Sequence, residues 1–198
     1  AAGTGGGRHG DEQQGLLFYL QDADQLFGGL VVGDGGGRGL GGIQHRTAAY
    51  GQDGIAAGGT AGHINPALAI ADKLKSVFPD AEIMFIGTPQ GMEARLVTKA
   101  GYNFTPVEMA GFQRHISIQN IGRNAKAAYL YFFAAKRAVR KILKEFQPDI
   151  VIGTGGYVCY PVLHEAAKLG IPTVVHESNA EPGLTTRQLE KCVDKIMV

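Results

Sequence analysis

The segment GGTAGHINPALAIA, Gly58 to Ala71, sets a glycine-rich turn directly ahead of an apolar helix, with a histidine where the helix begins. Gly58, Gly59 and Gly62 carry no Cβ, so the backbone can turn tightly there and come close to a ligand. The helix that follows points its unpaired N–H groups and the positive end of its dipole at the turn. Such a turn receives an anion or a sugar hydroxyl. Two further turns, GTGGYVCYP (Gly153 to Pro161) and HESNAEPGLTTR (His176 to Arg187), also follow short apolar runs. Three loops of this kind at one end of one sheet make a binding cleft.

The surrounding chain alternates strand and helix. Ile55 to Ala57 reads as the end of a first strand, and Pro66 to Phe78 as the helix after it. Ala81 to Gly87 is a compact apolar run closed by glycine, the pattern of a buried parallel strand. Gly91 to Ala100 predicts a helix that Gly101 ends, and Asn103 to Met109 predicts a short strand. A long helix is expected over Gln119 to Phe146, stopped by Pro148, and Asp149 to Gly153 gives the next strand. A helix running to Leu169, a strand Thr173 to Glu177, a helix Gly183 to Lys191 and a strand Lys195 to Val198 complete the series. The pattern predicts an α/β fold, a Rossmann-like parallel sheet with helices on both faces. Ligands of such sheets bind beyond the carboxyl ends of the strands, where the three loops fall.

The chain divides sharply near residue 53. Residues 1–53 hold about half of the 30 glycines but no proline and no lysine, while all 8 prolines lie beyond. Gly29 to Gly42 has too little side chain for a packed core, so this segment is expected to be disordered or foreign to the fold. Gly15 to Phe27 could form one short apolar helix or strand. A glycine-rich tail with a function of its own is the other reading. The domain proper is expected over 54–198.

Composition removes several classes. A net charge of +1 argues against a general nucleic-acid binder. Cys159 and Cys192 lie too far apart in sequence for a zinc motif and read as reduced thiols. No run approaches 18 apolar residues, so none predicts a membrane-spanning helix. GGTAGH does not satisfy the dinucleotide pattern G-x-G-x-x-G, and Gly87 and Thr88 stand where an acidic residue would close the second strand. No Gly-Lys-Ser/Thr follows, so the P-loop pattern also fails. What remains is a nucleotide or sugar site of another type. His63 is then either a helix-start residue satisfied by backbone or a catalyst. His176 and Glu177 end an apolar strand, where a structural hydrogen bond and a ligand contact are both open. Asn179 and Thr185 fit loop-fixing roles.

The ordered combination of these three motifs resembles the MurG family of peptidoglycan glycosyltransferases, over Ile55 to Val198. The resemblance implies the N-terminal half of a two-domain GT-B fold, with the nucleotide-holding C-terminal half not represented. It implies inverting transfer of N-acetylglucosamine from UDP-GlcNAc to the C4 hydroxyl of the N-acetylmuramoyl sugar of lipid I, giving lipid II. Thr60, Ala61, Gly62 and Asn179 would then lie at the donor sugar. His63 would face the reaction centre and take or orient the acceptor hydroxyl's proton, with Glu177 as the weaker candidate for that role. Gly59, Gly155, Gly156 and Tyr157 would line the acceptor pyrophosphate. No cofactor, metal or nucleic acid is implied, and the chain alone is expected to turn over no substrate. A related glycolipid glycosyltransferase and a non-catalytic acceptor-binding half-subunit are the alternatives. The sequence departs from the family pattern at Ala61, where many relatives have glycine. It departs again at Gly51 to Gly54, which are not apolar and leave a first strand of three residues.

A membrane-bound acceptor also implies a surface that meets the membrane. Asn120 to Phe146 carries seven basic residues against one acid, with Tyr129, Tyr131, Phe132 and Phe133 among them. Arg123, Lys126, Tyr129, Phe132, Phe133, Lys136 and Arg137 are the expected contacts with an anionic inner leaflet. The protein would sit peripherally on the cytoplasmic side of a bacterial membrane. A core helix with a solvated basic face is the competing reading.

Overall fold

A computed structural model describes residues 51–109 and 121–198, and the side chains of the helix that opens at Ile121 from residue 133 onward. The glycine-rich segment up to residue 50, its apolar piece Gly15 to Phe27, and Gln119 lie outside the described residues. So do the side chains of Arg123, Lys126, Tyr129 and Phe132.

The elements run β1 (Gln52–Ala56), α1 (Ala61–Val77), β2 (Glu82–Gly87), α2 (Met92–Lys99), β3 (Asn103–Pro106), α3 (Ile121–Phe146), β4 (Ile150–Gly153), α4 (Cys159–Lys168), β5 (Thr173–His176), α5 (Leu184–Leu189) and β6 (Lys195–Met197). Among the described residues six strands form one sheet, in the order β3-β2-β1-β4-β5-β6. Every pairing is parallel. β1 lies at the point where the order reverses, with Ile55 opposite Phe85 on one side and Ile152 on the other. That is where parallel α/β sheets open a crevice.

Alternation along the strands feeds two cores. Ile55, Ile83, Phe85, Ile150, Ile152 and Val174 face α1 and α2, meeting Ile64, Ala67, Ile70, Leu74 and Val97. Ala56, Met84, Ile86, Val151 and Val175 face the other way, onto Ala135, Val139 and Leu143 of α3 and Val162, Leu163 and Ala166 of α4. Ala135, Val139 and Leu143 recur every four residues, so α3 shows one apolar stripe to the sheet. Each large apolar side chain buried this fully contributes about 1.5–3 kcal/mol. The sheet with helices on both faces is the architecture that the sequence pattern predicts.

Three element limits differ from expectation by three residues or more. β1 has five residues rather than three and opens at Gln52, because its ladder to β2 and β4 depends on main chain, not on apolar side chains. Asp149 accepts the Gln52 N–H at 3.0 Å, and Gln52 Nε2 donates to Glu82 at 3.1 Å, so the polar entrance is paired. α1 opens at Ala61, ahead of Pro66, which lies inside the helix. β3 stops at Pro106, short of Met109; on this edge strand a proline ends pairing at little cost.

The polar residue in β1 has a measurable effect. Asp53 is 6% exposed. Burial, and then the negative charge of Asp149, push its carboxyl from 3.8 up to about 6. The folded state therefore binds this proton more tightly than the unfolded chain, so stability is full below pH 3.8, falls as pH rises from 3.8 to about 6, and levels off above that. The penalty is about 3 kcal/mol at pH 7.5 and about 1 kcal/mol at pH 4.5. Asp53→Asn is expected to stabilise the chain by about 2 kcal/mol more at pH 7.5 than at pH 4.5. Urea melts at both pH values check this, and an equal difference at both would contradict it.

Candidate active site

The loops after β1, β4 and β5 lie side by side because these strands are neighbours. In the first loop Gly59 takes φ +93°, and Thr60 is extended just before α1 with no side-chain cap on the helix. The Thr60 carbonyl accepts the N–H groups of His63 and Ile64 at 3.1 and 3.2 Å. His63 Nδ1 lies 3.1 Å from the Gly58 carbonyl and 3.3 Å from Thr60 Oγ1. A carbonyl can only accept, so this contact assigns the proton of the neutral ring to Nδ1 and leaves Nε2 as an acceptor. That is the tautomer a general base needs.

The loop after β4 is locked onto the first. Thr154 donates its N–H to the Ala56 carbonyl at 3.1 Å and its hydroxyl to the His63 carbonyl at 2.7 Å. Gly155 and Gly156 have φ of +112° and +85°. A Cβ on Gly155 would lie 2.5 Å from His63 Cδ2, so only bare backbone lets the imidazole pack here. Beneath it the Cys159 thiol contacts the carbonyls of Ala56 and Gly155 at 3.0 and 2.9 Å. Burial pushes this thiol up to about 12, which makes it a neutral spacer and not a nucleophile.

One buried carboxylate ties a further loop to these two. Glu93, 1% exposed in the first turn of α2, accepts Thr88 N–H at 3.0 Å, Thr88 Oγ1–H at 2.6 Å and Gly59 N–H at 3.4 Å. Thr88 Oγ1 lies in turn 3.3 Å from the Tyr157 hydroxyl. In the loop after β5, Glu177 accepts four bonds: Asn179 N–H and Nδ2 at 3.1 and 2.6 Å, Gly183 N–H at 2.9 Å and Thr186 Oγ1 at 2.6 Å. Burial raises its carboxyl, but the bonds from Thr186, Gly183 and Asn179 outweigh this and hold it below the usual carboxylate range.

Residues 54–198 match the model of the glycosyltransferase family 28 N-terminal domain. The chain belongs to glycosyltransferase family 28. It is 52% identical over 142 residues to a protein of Alkaliphilus oremlandii named UDP-N-acetylglucosamine--N-acetylmuramyl-(pentapeptide) pyrophosphoryl-undecaprenol N-acetylglucosamine transferase, covering 72% of this chain and 37% of that protein. A protein of the same name from Acetivibrio thermocellus is 48% identical over 144 residues, covering 73% of this chain and 38% of the relative. The chain thus spans well under half the length of these relatives. Among solved structures, Acinetobacter baumannii MurG superposes with a TM-score of 0.62 at 29% identity, over 74% of this chain and 40% of that one.

Within this family 28 domain, the fold brings His63 against Gly155 and Gly156 and Gly59 against Tyr157, with Thr60 in contact with His63. Ala61, Gly62 and Asn179 are exposed at the same end of the sheet. Glu177 and Asn179 bond to each other on the adjoining loop. Glu93 and Thr88 join the site beyond the residues that the sequence points to. Their signal lies in GTPQGME, Gly87 to Glu93, which repeats the strand–glycine turn–helix form of the first motif. Of the expected membrane contacts, Phe133 is 50% exposed, Arg137 is exposed and Lys136 lies over the Tyr160 ring at 5.2 Å.

Proposed function

We propose that this chain forms the acceptor side of a transferase that moves N-acetylglucosamine from UDP-GlcNAc to the N-acetylmuramoyl sugar of undecaprenyl-pyrophosphoryl-MurNAc-pentapeptide. The carrying observation is the setting of His63, held by the Gly58 carbonyl at Nδ1 and packed on two glycines. The names borne by relatives at 48–52% identity support the same reading. His63 Nε2 accepts the proton of the acceptor hydroxyl as that oxygen bonds to the anomeric carbon of the donor sugar, and UDP leaves with the electron pair of the broken glycosidic bond. Thr60, Ala61 and Gly62 at the uncapped start of α1, with Asn179 across the cleft, hold that donor sugar. The Gly156 N–H is offered to the acceptor pyrophosphate, with Tyr157 beside it. Gly59 and Gly155, whose own N–H groups are held by Glu93 and the Cys159 sulfur, line it with bare backbone. Glu177 acts as a positioning residue, since its four bonds fix the loop that carries Asn179.

The second half of α3 supports contact with an anionic leaflet. Phe133 and Arg137 are exposed there, while Ala135, Val139 and Leu143 hold the helix to the sheet. The partners proposed are therefore UDP-GlcNAc, lipid I and the cytoplasmic face of the membrane.

A chimera tests the activity. Residues 51–198 replace the matching part of the Alkaliphilus oremlandii relative, and transfer of radiolabelled N-acetylglucosamine to lipid I is measured. The chimera is expected to transfer the sugar, and His63→Ala is expected to lower kcat by roughly 100-fold or more with the fold intact. A folded chimera without transfer, or a His63→Ala variant at full rate, would refute the proposal.

A further inference from the structure

Glu93 makes every contact as an acceptor, and this fixes where the protons lie. Thr88 has one hydroxyl proton, and it is committed to Glu93 Oε1 at 2.6 Å. The 3.3 Å contact between Thr88 Oγ1 and the Tyr157 hydroxyl therefore needs the proton of the phenol. Tyr157 points that proton inward and keeps only lone pairs for the cleft. Its ring stands over the glycine turn, with Cε1 3.8 Å from where a Gly59 Cβ would be, and the residue is 36% exposed. A phosphate oxygen has no proton to offer such a group, whereas a sugar hydroxyl or an amide N–H does.

We propose that Glu93 is a positioning residue that acts through Thr88 to make Tyr157 a hydrogen-bond acceptor, so that the phenol reads a hydroxyl or amide of the acceptor sugar and not its pyrophosphate. The ligand's name rests on the function proposed above; the direction of the proton does not. Glu93 also holds the Gly59 N–H, so the same carboxylate sets the glycine turn and the phenol that stands over it.

Two measurements on the 198-residue chain test this. The Raman doublet of tyrosine distinguishes donor from acceptor phenols, and the wild-type minus Tyr157→Phe difference spectrum isolates this one among seven tyrosines. A donor signature is expected, lost in Thr88→Val and restored in Thr88→Ser. An acceptor signature in the wild type, or no change in Thr88→Val, overturns the proposal. Calorimetric titration then compares inorganic pyrophosphate with a short-chain, water-soluble analogue bearing both pyrophosphate and N-acetylmuramic acid. Tyr157→Phe and Thr88→Val should each weaken the sugar-bearing analogue about fivefold and leave pyrophosphate unchanged. Equal weakening of both probes overturns it. If the wild type binds neither probe, the functional reading fails, and the Raman signature alone decides the proton's direction.

Discussion

Replacing Gly156 with alanine should destabilise the chain by roughly 3–5 kcal/mol, a fall of about 10 °C or more in melting temperature. Two effects act together. At φ +85° a side chain is strained, and the added Cβ would sit 2.0 Å from the Gly58 carbonyl oxygen. That oxygen is main chain and also holds His63, so it cannot move without releasing the imidazole. Gly101 and Gly170 provide the control, since they have φ of +85° and +73° with nothing within 4 Å of a Cβ. Alanine at either should cost only about 1–2 kcal/mol, the strain alone. Thermal melts of the three variants by circular dichroism decide the matter. If Gly156→Ala matches the two controls, the close approach of the loops is wrong.

Glu93→Ala is expected to cost about 4 kcal/mol. It leaves the Thr88 N–H, the Thr88 hydroxyl and the Gly59 N–H without their acceptor, each at about 1–3 kcal/mol less what water can recover, and it opens a small void. Glu93→Gln keeps one oxygen for Thr88 but turns an NH2 group toward the Gly59 N–H. Its loss should be smaller, about 1–2 kcal/mol, and should appear first as faster hydrogen exchange at Gly59. Urea unfolding of both variants, followed by circular dichroism because the chain has no tryptophan, checks the order. Equal stability of wild type and Glu93→Ala would remove Glu93 from the organisation of the cleft.

Much of the architecture was legible because buried parallel strands are near-continuous apolar runs. EIMFIG, DIVIG and TVVH each announce themselves, and the glycines that follow mark the cleft. β1 hides in the sequence because its first residues are Gln52, Asp53 and Gly54. Pattern reading weighs side chains, while a central strand is held by two ladders of main-chain bonds. Glu93 was invisible for a related reason. A glutamate in a first helical turn normally reads as a solvated N-terminal charge. Gly87 and Gly91 are its neighbours in sequence, but Gly58, the third glycine that leaves room for its side chain, comes beside it only once β1 and β2 pair. His63 was found because glycine spacing and histidine lie within one short motif.

The position of β1 also governs how the chain is made. Its partner on one side, β2, follows at once, but 97 residues separate Gln52 from Asp149, the residue just before β4. At about 5–20 residues per second, a ribosome takes roughly 5–20 s to supply that second partner. For that interval β1 is the open margin of a nascent three-stranded sheet, able to pair with a neighbouring chain. Asp53 lies on that margin, and an inward-pointing charge opposes such pairing. The same carboxylate that lowers the stability of the finished sheet thus stands against edge pairing while the sheet is incomplete.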